Sequence, residues 1–407
     1  MSVSEGVFER ANQQERSERV FERANQQDGA PLDDLVVLDL TIARAGPTAV
    51  RYLADWGARV LRIEQRGDGG AILGDHNSSD YINLHRSKQL IGLDLTDADD
   101  KRRFFRLVKH ADVIVENNRA PVKTKLGIDY DACAAVNPRI IYGSIAGYGQ
   151  DGPASTKGAV DQIIQGVGGL MSITGLPGQG PVRAGIAVSD SAAGHQLAIG
   201  ILLALRERER TGRGQWVKVS LLEAMISFLD FQAVRWTIDG HVPPQEGNHH
   251  PTGRPMGTYR VADGYLNVAA PGGRLWTGLC NVLEEPDLRA DERFKSAGDR
   301  FRNRLVLDEV LEARFATRSR DEWIRLLDAA GVPCGPVNAV DEVFADAQVQ
   351  HLAMLARIPH AHRGDVDVLR NPITMSETRP VVPTASPVPG RPEAEIFAAL
   401  GIPSPDE

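Results

Sequence analysis

From Leu35 the chain alternates short apolar runs with stretches whose apolar residues recur at helical spacing. The runs at 35–40, 59–63, 90–95, 112–115 and 139–145 are too short for buried helices and predict strands. Residues 47–56 and 98–110 between them predict helices: Pro47 suits a first turn, Gly57 a stop, and Thr96 opens the second. Strands alternating with helices predict an α/β protein whose large domain is a Rossmann-like parallel sheet, with ligands gathering at the carboxyl ends of the strands.

The pattern changes after about Phe231. Loop-rich sequence at 240–255 precedes a stretch, 259–268, that reads as a hairpin turning at Asp263-Gly264. Helical patterns at 273–283 and 303–330 then predict a smaller α/β domain. A proline-rich strap at 372–392 leads to a short helix at 393–400. The expected division is a tail at 1–30, a large domain at 31–230 completed by 381–407, a small domain at 231–333 including its linker, and a return linker at 334–380. The tail carries an identical repeat, Val7-Phe-Glu-Arg-Ala-Asn-Gln-Gln14 and Val20-Phe-Glu-Arg-Ala-Asn-Gln-Gln27. It has too few apolar residues to bury a face and reads as a frayed helix or flexible segment.

Composition narrows the classes. With 407 residues, 42% hydrophobic and 25% charged, the chain has enough apolar material for two globular domains. A net charge of −8 gives no general attraction to nucleic acid or acidic membranes, so neither is expected as a partner. Cys133, Cys280 and Cys334 are far apart and lack metal-ligand spacing, which predicts reduced thiols, no structural zinc and a cytoplasmic location. His249 and His250 have no third ligand at suitable spacing, so no metal is expected. No uninterrupted apolar stretch reaches membrane-spanning length, and the first thirty residues lack a signal-peptide core.

The segment Pro181-Val-Arg-Ala-Gly-Ile-Ala-Val-Ser-Asp-Ser-Ala-Ala-Gly194 sets one carboxylate, Asp190, among small residues just before a helical apolar run at 195–205. That run ends in a charged cluster at 206–210 and a glycine stop. Asp190 is either the N-cap of this helix, accepting from its first amides, or an approachable nucleophile.

Further segments, taken together and in order, resemble the family III CoA-transferases, a group that includes formyl-CoA:oxalate transferase, carnitine CoA-transferases and the related α-methylacyl-CoA racemases. They include Leu35-Val-Val-Leu-Asp-Leu-Thr41 leading to Ala45-Gly-Pro47, Leu53-Ala-Asp-Trp-Gly-Ala58, Arg86-Ser-Lys88 and Ala111-Asp-Val-Ile-Val-Glu-Asn117. Gly147-Tyr-Gly-Gln-Asp-Gly-Pro153, Arg208-Glu-Arg-Thr-Gly-Arg-Gly-Gln215 and Gly331-Val-Pro-Cys-Gly-Pro-Val-Asn338 continue the match, which runs from about Pro31 to Ile402.

The resemblance implies that Asp190 is the nucleophile of an acyl-CoA:carboxylate CoA-transferase, working through an aspartyl anhydride and an aspartyl-CoA thioester. It implies no permanently bound cofactor, coenzyme A thioester and a free carboxylic acid as substrates, and an interlocked homodimer. Asp161 stands where some members carry a second catalytic carboxylate, either polarising an intermediate or ending the following helix. The racemase motif's His and Asn-Tyr are absent around it, which favours transfer. By motif position Arg44, Arg66, Arg86, Lys88 and Lys125 are the cations for CoA phosphates, and Gly253 and Gly257 mark the equivalent of a glycine loop. The other readings are an α-methylacyl-CoA racemase or epimerase using Asp161, and a non-catalytic CoA-binding protein. A nicotinamide dehydrogenase is disfavoured because Thr41-Ile-Ala-Arg-Ala-Gly46 lacks the G-x-G-x-x-G pattern after the first strand.

Overall fold

A computed structural model describes residues 29–66, 75–404 and 406, so the repeat-bearing tail lies outside the described residues. The chain divides into two compact units: the larger holds the described residues up to Gly169, Ala184–Ala233 and everything from Ala353, and the smaller holds Leu170–Arg183 and Val234–Leu352.

Six parallel strands build the larger unit: β1 (Val36–Asp39), β2 (Arg59–Glu64), β3 (Lys88–Gly92), β4 (Val113–Glu116), β5 (Ile141–Ala146) and β6 (Trp216–Ser220). Their spatial order is β3-β2-β1-β4-β5-β6, the doubly wound order whose direction of winding reverses between β1 and β4. Leu38, Leu61, Ile114 and Tyr142 project into one core with Phe104 and Leu107 of the helix Ala98–His110 and with Ile396 and Phe397 of the final helix. This explains why the last residues rejoin the first domain: Glu393–Leu400 covers β2 and β3.

Local details depart from the expected boundaries for identifiable reasons. Asp97, not Thr96, caps Ala98–His110, because the side chain of Asp94 captures the amide and hydroxyl of Thr96 in its own turn. β3 begins at Lys88, ahead of the apolar run, because the Lys88 ammonium points inward to Asp39. β6 was not expected; its Trp216 indole donates to Ser144 Oγ and stacks on Tyr130. A reciprocal Ser220–Glu223 capping box ends that strand and starts the next helix.

The helix Val188–Thr211 runs 24 residues, starting well before the expected 195, and stops at Gly212 in the left-handed conformation. By length and composition alone it could cross a membrane, although Asp190, His195 and Gln196 interrupt its apolar run. Leu197, Ala198, Ile201 and Ala204 are nonetheless buried, and the helix packs against β5, β6 and the helix Ala45–Asp55. Gly194 permits that crossing: a Cβ there would stand 2.6 Å from the carbonyl oxygen of Ala45.

In the smaller unit, β7 (Met256–Val261), β8 (Gly264–Ala269) and β9 (Cys334–Pro336) form an antiparallel sheet. The expected hairpin of β7 and β8 forms, but it turns at Ala262-Asp263, one residue earlier than Asp263-Gly264, because Gly264 already pairs with Val261. Helices Gly273–Val282, Arg304–Phe315 and Arg320–Ala329 cover it around Tyr259, Leu266, Phe315 and Trp323. The expected helix at 303–330 is thus two helices. Ser319 caps the second by accepting from the Glu322 amide, and Trp323 donates to the Phe315 carbonyl left at the break.

The expected return linker at 334–380 is structured. Its first part supplies β9 and the helices Val340–Ala345 and Ala347–Leu352 to the smaller unit. Within the larger unit, β10 (Leu355–His360) and β11 (Gly364–Leu369) form a hairpin whose Ile358 and Val368 pack on Ile82. Alternating apolar positions in a polar stretch mark such a one-sided hairpin, and its low apolar content masks it.

Candidate active site

The carboxyl ends of β1 and β4, where the winding reverses, are tied together by Asn117, which accepts from the Ile42 amide and donates to the Ile42 carbonyl. Ala43 follows in the left-handed region at φ 58°, a conformation unusual for a residue with a Cβ. It turns the chain into Arg44, which precedes the helix Ala45–Asp55. Arg44 Nη2 pairs with Asp80 at 2.5 Å, and its side chain keeps 34% exposure. Its Nε and Nη1 have no hydrogen-bond partner among the described residues.

Asp190 is the third residue of Val188–Thr211, inside the first turn and not at the N-cap, which is Ala187. The first amides of a helix carry partial positive charge, so an anion there is favoured. Its carboxylate is partly buried and has no hydrogen-bond or ion-pair partner among the described residues. Burial, followed by the negative charge of Asp161, pushes its pKa from 3.8 up to about 6, with Arg44 opposing. Arg44, Asp161 and Asp190 therefore belong to one electrostatic site.

Asp161, buried at the start of Asp161–Val167, is differently placed. Its Oδ1 accepts from the amide and the hydroxyl of Ser189, each at 2.9 Å, and its Oδ2 accepts from Gln165 Nε2 at 2.6 Å. Gln165 also donates to the Ile186 carbonyl and accepts from the Ala184 amide. Asp161 and Gln165 thus fasten the chain from Ala184 to Ser189, immediately before Asp190. Gln165 carried no recognisable signal in the sequence; its helical spacing of four residues from Asp161 is the only clue.

The five cations assigned by motif position separate. Arg44 is close enough for its charge to reach Asp190. Arg66 has 60% side-chain exposure, pairs with Asp100 at 2.8 Å and borders a cavity of about 460 Å³ at the carboxyl ends of β2 and β3. Gln65, Ile91, Gly92 and Arg391 also line that cavity. Lys125 is exposed in the last turn of Ala120–Leu126.

Arg86 and Lys88 correct the sequence assignment, because their charges are consumed inside the unit. Arg86 makes a two-pronged pair with Asp55 at 3.1 and 2.8 Å and donates twice to Asn83. The Lys88 ammonium has no exposed surface and lies 2.8 Å from Asp39, which Arg62 and Thr41 also hold. Burial draws the Lys88 pKa down to about 8 against the pull of Asp39.

Gly257 sits inside β7, and its lack of a Cβ makes room for the ring of His249, whose backbone bridges to it. Gly253 lies in the preceding bend, where an added Cβ would meet only ordinary contacts from 3.6 Å outward. The adjoining residues are held by Arg254, which is buried and pairs with Glu246 at 3.2 Å and Asp308 at 3.6 Å. Among the described residues no cluster of three or more potential metal ligands occurs.

Comparison with known proteins gives the family. Residues 32–392 match CoA-transferase family III, and the chain belongs to that family. It is a CoA-transferase: it is 35% identical over 353 residues to the acetyl-CoA:oxalate CoA-transferase of Acetobacter aceti, covering 85% of this chain and 89% of that protein. It is 33% identical to the succinyl-CoA:mesaconate CoA-transferase of Haloarcula hispanica, covering 91% and 96%. A CAIB/BAIF family protein from Brucella suis superposes with a TM-score of 0.80 at 34% identity, over 91% of this chain and 99% of that one.

Proposed function

We propose that the protein moves coenzyme A from an acyl-CoA to a free dicarboxylic acid, with Asp190 as the covalent carrier. The observation that carries the reading is the Asp190 carboxylate itself: partly buried, without a partner among the described residues, and ionised above a pKa of about 6. A carboxylate is a weak nucleophile, and removing its hydrogen-bond donors leaves its electron pairs available.

In the proposed sequence, Asp190 attacks the thioester carbonyl, forming a mixed anhydride and releasing CoA thiolate. The thiolate attacks the aspartyl carbonyl, giving aspartyl-CoA thioester and the donor's free acid. The acceptor carboxylate attacks that thioester, re-forming an anhydride and thiolate; the thiolate then takes the acceptor acyl group and frees Asp190. No net proton or redox change occurs.

Asp161 is a positioning residue in this reading, since both its oxygens are bonded to protein groups. Arg66 at the cavity edge suits the phosphates of CoA, while Arg44 suits the second carboxylate of an acid whose first carboxylate meets Asp190. The acids named for the relatives, oxalate and mesaconate among them, as well as glutarate in a mouse protein, are dicarboxylic, which supports the acceptor class. Exposed Ile199, Leu202 and Leu203 on Val188–Thr211 support a homodimer. Transfer assays with succinyl-CoA and a series of mono- and dicarboxylic acids test the function: dicarboxylic acids accept CoA, and Asp190→Asn abolishes it. Full transfer by that variant rejects the reading.

A further inference from the structure

A second polar cluster in the larger unit has no role in the proposed reaction. Arg51 lies on the helix Ala45–Asp55, and its Nε is buried with no hydrogen-bond partner. No carboxylate oxygen lies within ion-pair distance of its guanidinium among the described residues. The reason is visible: the acid whose charge reaches it, Asp55, is spent on Arg86 at 3.1 and 2.8 Å and on Asn371 at 3.3 Å. Beside Arg51, the Tyr52 ring packs edge-on against the His195 imidazole, with centroids 4.8 Å apart, and the Arg51 guanidinium carbon is 5.8 Å from the Tyr52 ring centre. Neither the Tyr52 hydroxyl nor a His195 ring nitrogen has a hydrogen-bond partner among the described residues.

Three adjacent donors, one of them a permanent cation, are thus left without acceptors in a partly buried place. A partly buried guanidinium is costly unless an anion meets it. We infer that Arg51, Tyr52 and His195 form a binding site for a carboxylate, supplied by a small carboxylic acid or by an acidic side chain of a second copy of this chain. Charge selects the class. Burial and Arg51 hold His195 neutral, so the cluster offers one positive charge and two neutral donors. That matches a planar monoanion, and the flat guanidinium fits a carboxylate edge; a phosphate dianion would be left half-neutralised.

The test follows the histidine ring resonances of the full-length protein labelled with ¹³C and ¹⁵N at histidine, with His195→Gln assigning the signal. Sodium succinate is titrated at constant ionic strength against sodium chloride, and the protein is separately diluted while its mass is followed by sedimentation. A small-acid source predicts that succinate, not chloride, moves the His195 signal and shifts its titration to higher pH, at every protein concentration. A second-copy source predicts that dilution moves the signal in step with dissociation while succinate does not. In both cases Arg51→Gln, shown by circular dichroism to be folded, removes the response. A signal indifferent to succinate and to dilution, one moved equally by chloride, or an unchanged response in Arg51→Gln overturns the inference.

Discussion

Asp161 grips Ser189 twice through one oxygen: Oδ1 accepts from both the amide and the hydroxyl, each at 2.9 Å. The residue after Ser189 is Asp190. One carboxylate thereby fixes the turn that presents the other, while its charge raises the other's pKa. Asp161→Asn keeps one acceptor oxygen but removes the charge. The account predicts a lower transfer rate, by roughly ten- to a hundred-fold as expected for lost positioning, and an acid limb of the pH profile displaced to lower pH. A pH–rate profile with the limb unmoved would separate Asp161 from the electrostatics of Asp190.

In the proposed mechanism, transfer by the unaltered protein needs ionised Asp190. Its activity is expected to be full above pH 7 and to fall as pH drops through about 6, the value to which burial and Asp161 bring that carboxyl. Measuring kcat/KM between pH 5 and pH 8 checks this, provided circular dichroism shows an intact fold throughout.

The same shift makes Asp190 a liability to folding. Its folded pKa lies above the ordinary 3.8, so the folded state binds the extra proton between about pH 4 and 6. Stability from this group is present below that window and is lost as pH rises through it. Asp190→Asn is therefore expected to be more stable than the parent at pH 8, by up to about 3 kcal/mol, and little different at pH 4. Urea melts at the two pH values read the difference directly.

Gly194 keeps the helix that carries Asp190 against the helix Ala45–Asp55. A methyl at that position meets the Ala45 carbonyl oxygen at 2.6 Å and Thr48 Cβ at 2.9 Å, so helix axes must part. Gly194→Ala is predicted to cost about 1–3 kcal/mol and to lower kcat. Thermal melts paired with a transfer assay check both.

Lys88 provides a contrast between structural and binding cations. Lys88→Met leaves Asp39 in the core with Arg62 at 3.7 Å as its remaining cation, and the expected cost is about 3 kcal/mol. The folded fraction should retain its KM for acyl-CoA. Unchanged stability together with a raised KM would return Lys88 to the ligand.

Periodicity made the parallel sheet legible, because strands buried on both faces are continuous apolar runs, as in Val113–Glu116 and Ile141–Ala146. It missed β6, β10 and β11, where one face is wet and apolar residues alternate with charged ones. Asp190 stood out by its small neighbours, yet its place inside the first helical turn was hidden: Asp161 and Gln165, more than twenty residues upstream, satisfy the chain before it. Motif position could not tell ligand cations from buried ones. Arg86 and Lys88 resemble Arg44 in charge, and only the three-dimensional partners Asp55 and Asp39 set them apart. Likewise Gly257 reads as part of a glycine loop in sequence, whereas it lies in β7 and the His249 ring packed over the strand is what excludes a side chain.

The central claim is that acyl groups and CoA pass through Asp190. Incubation with succinyl-CoA, a hydroxylamine quench and peptide mass spectrometry test it most directly. The account predicts a hydroxamate on Asp190, absent in Asp190→Asn and formed only when the thioester is present. Active transfer with an unmodified Asp190 and no hydroxamate at any residue would contradict it.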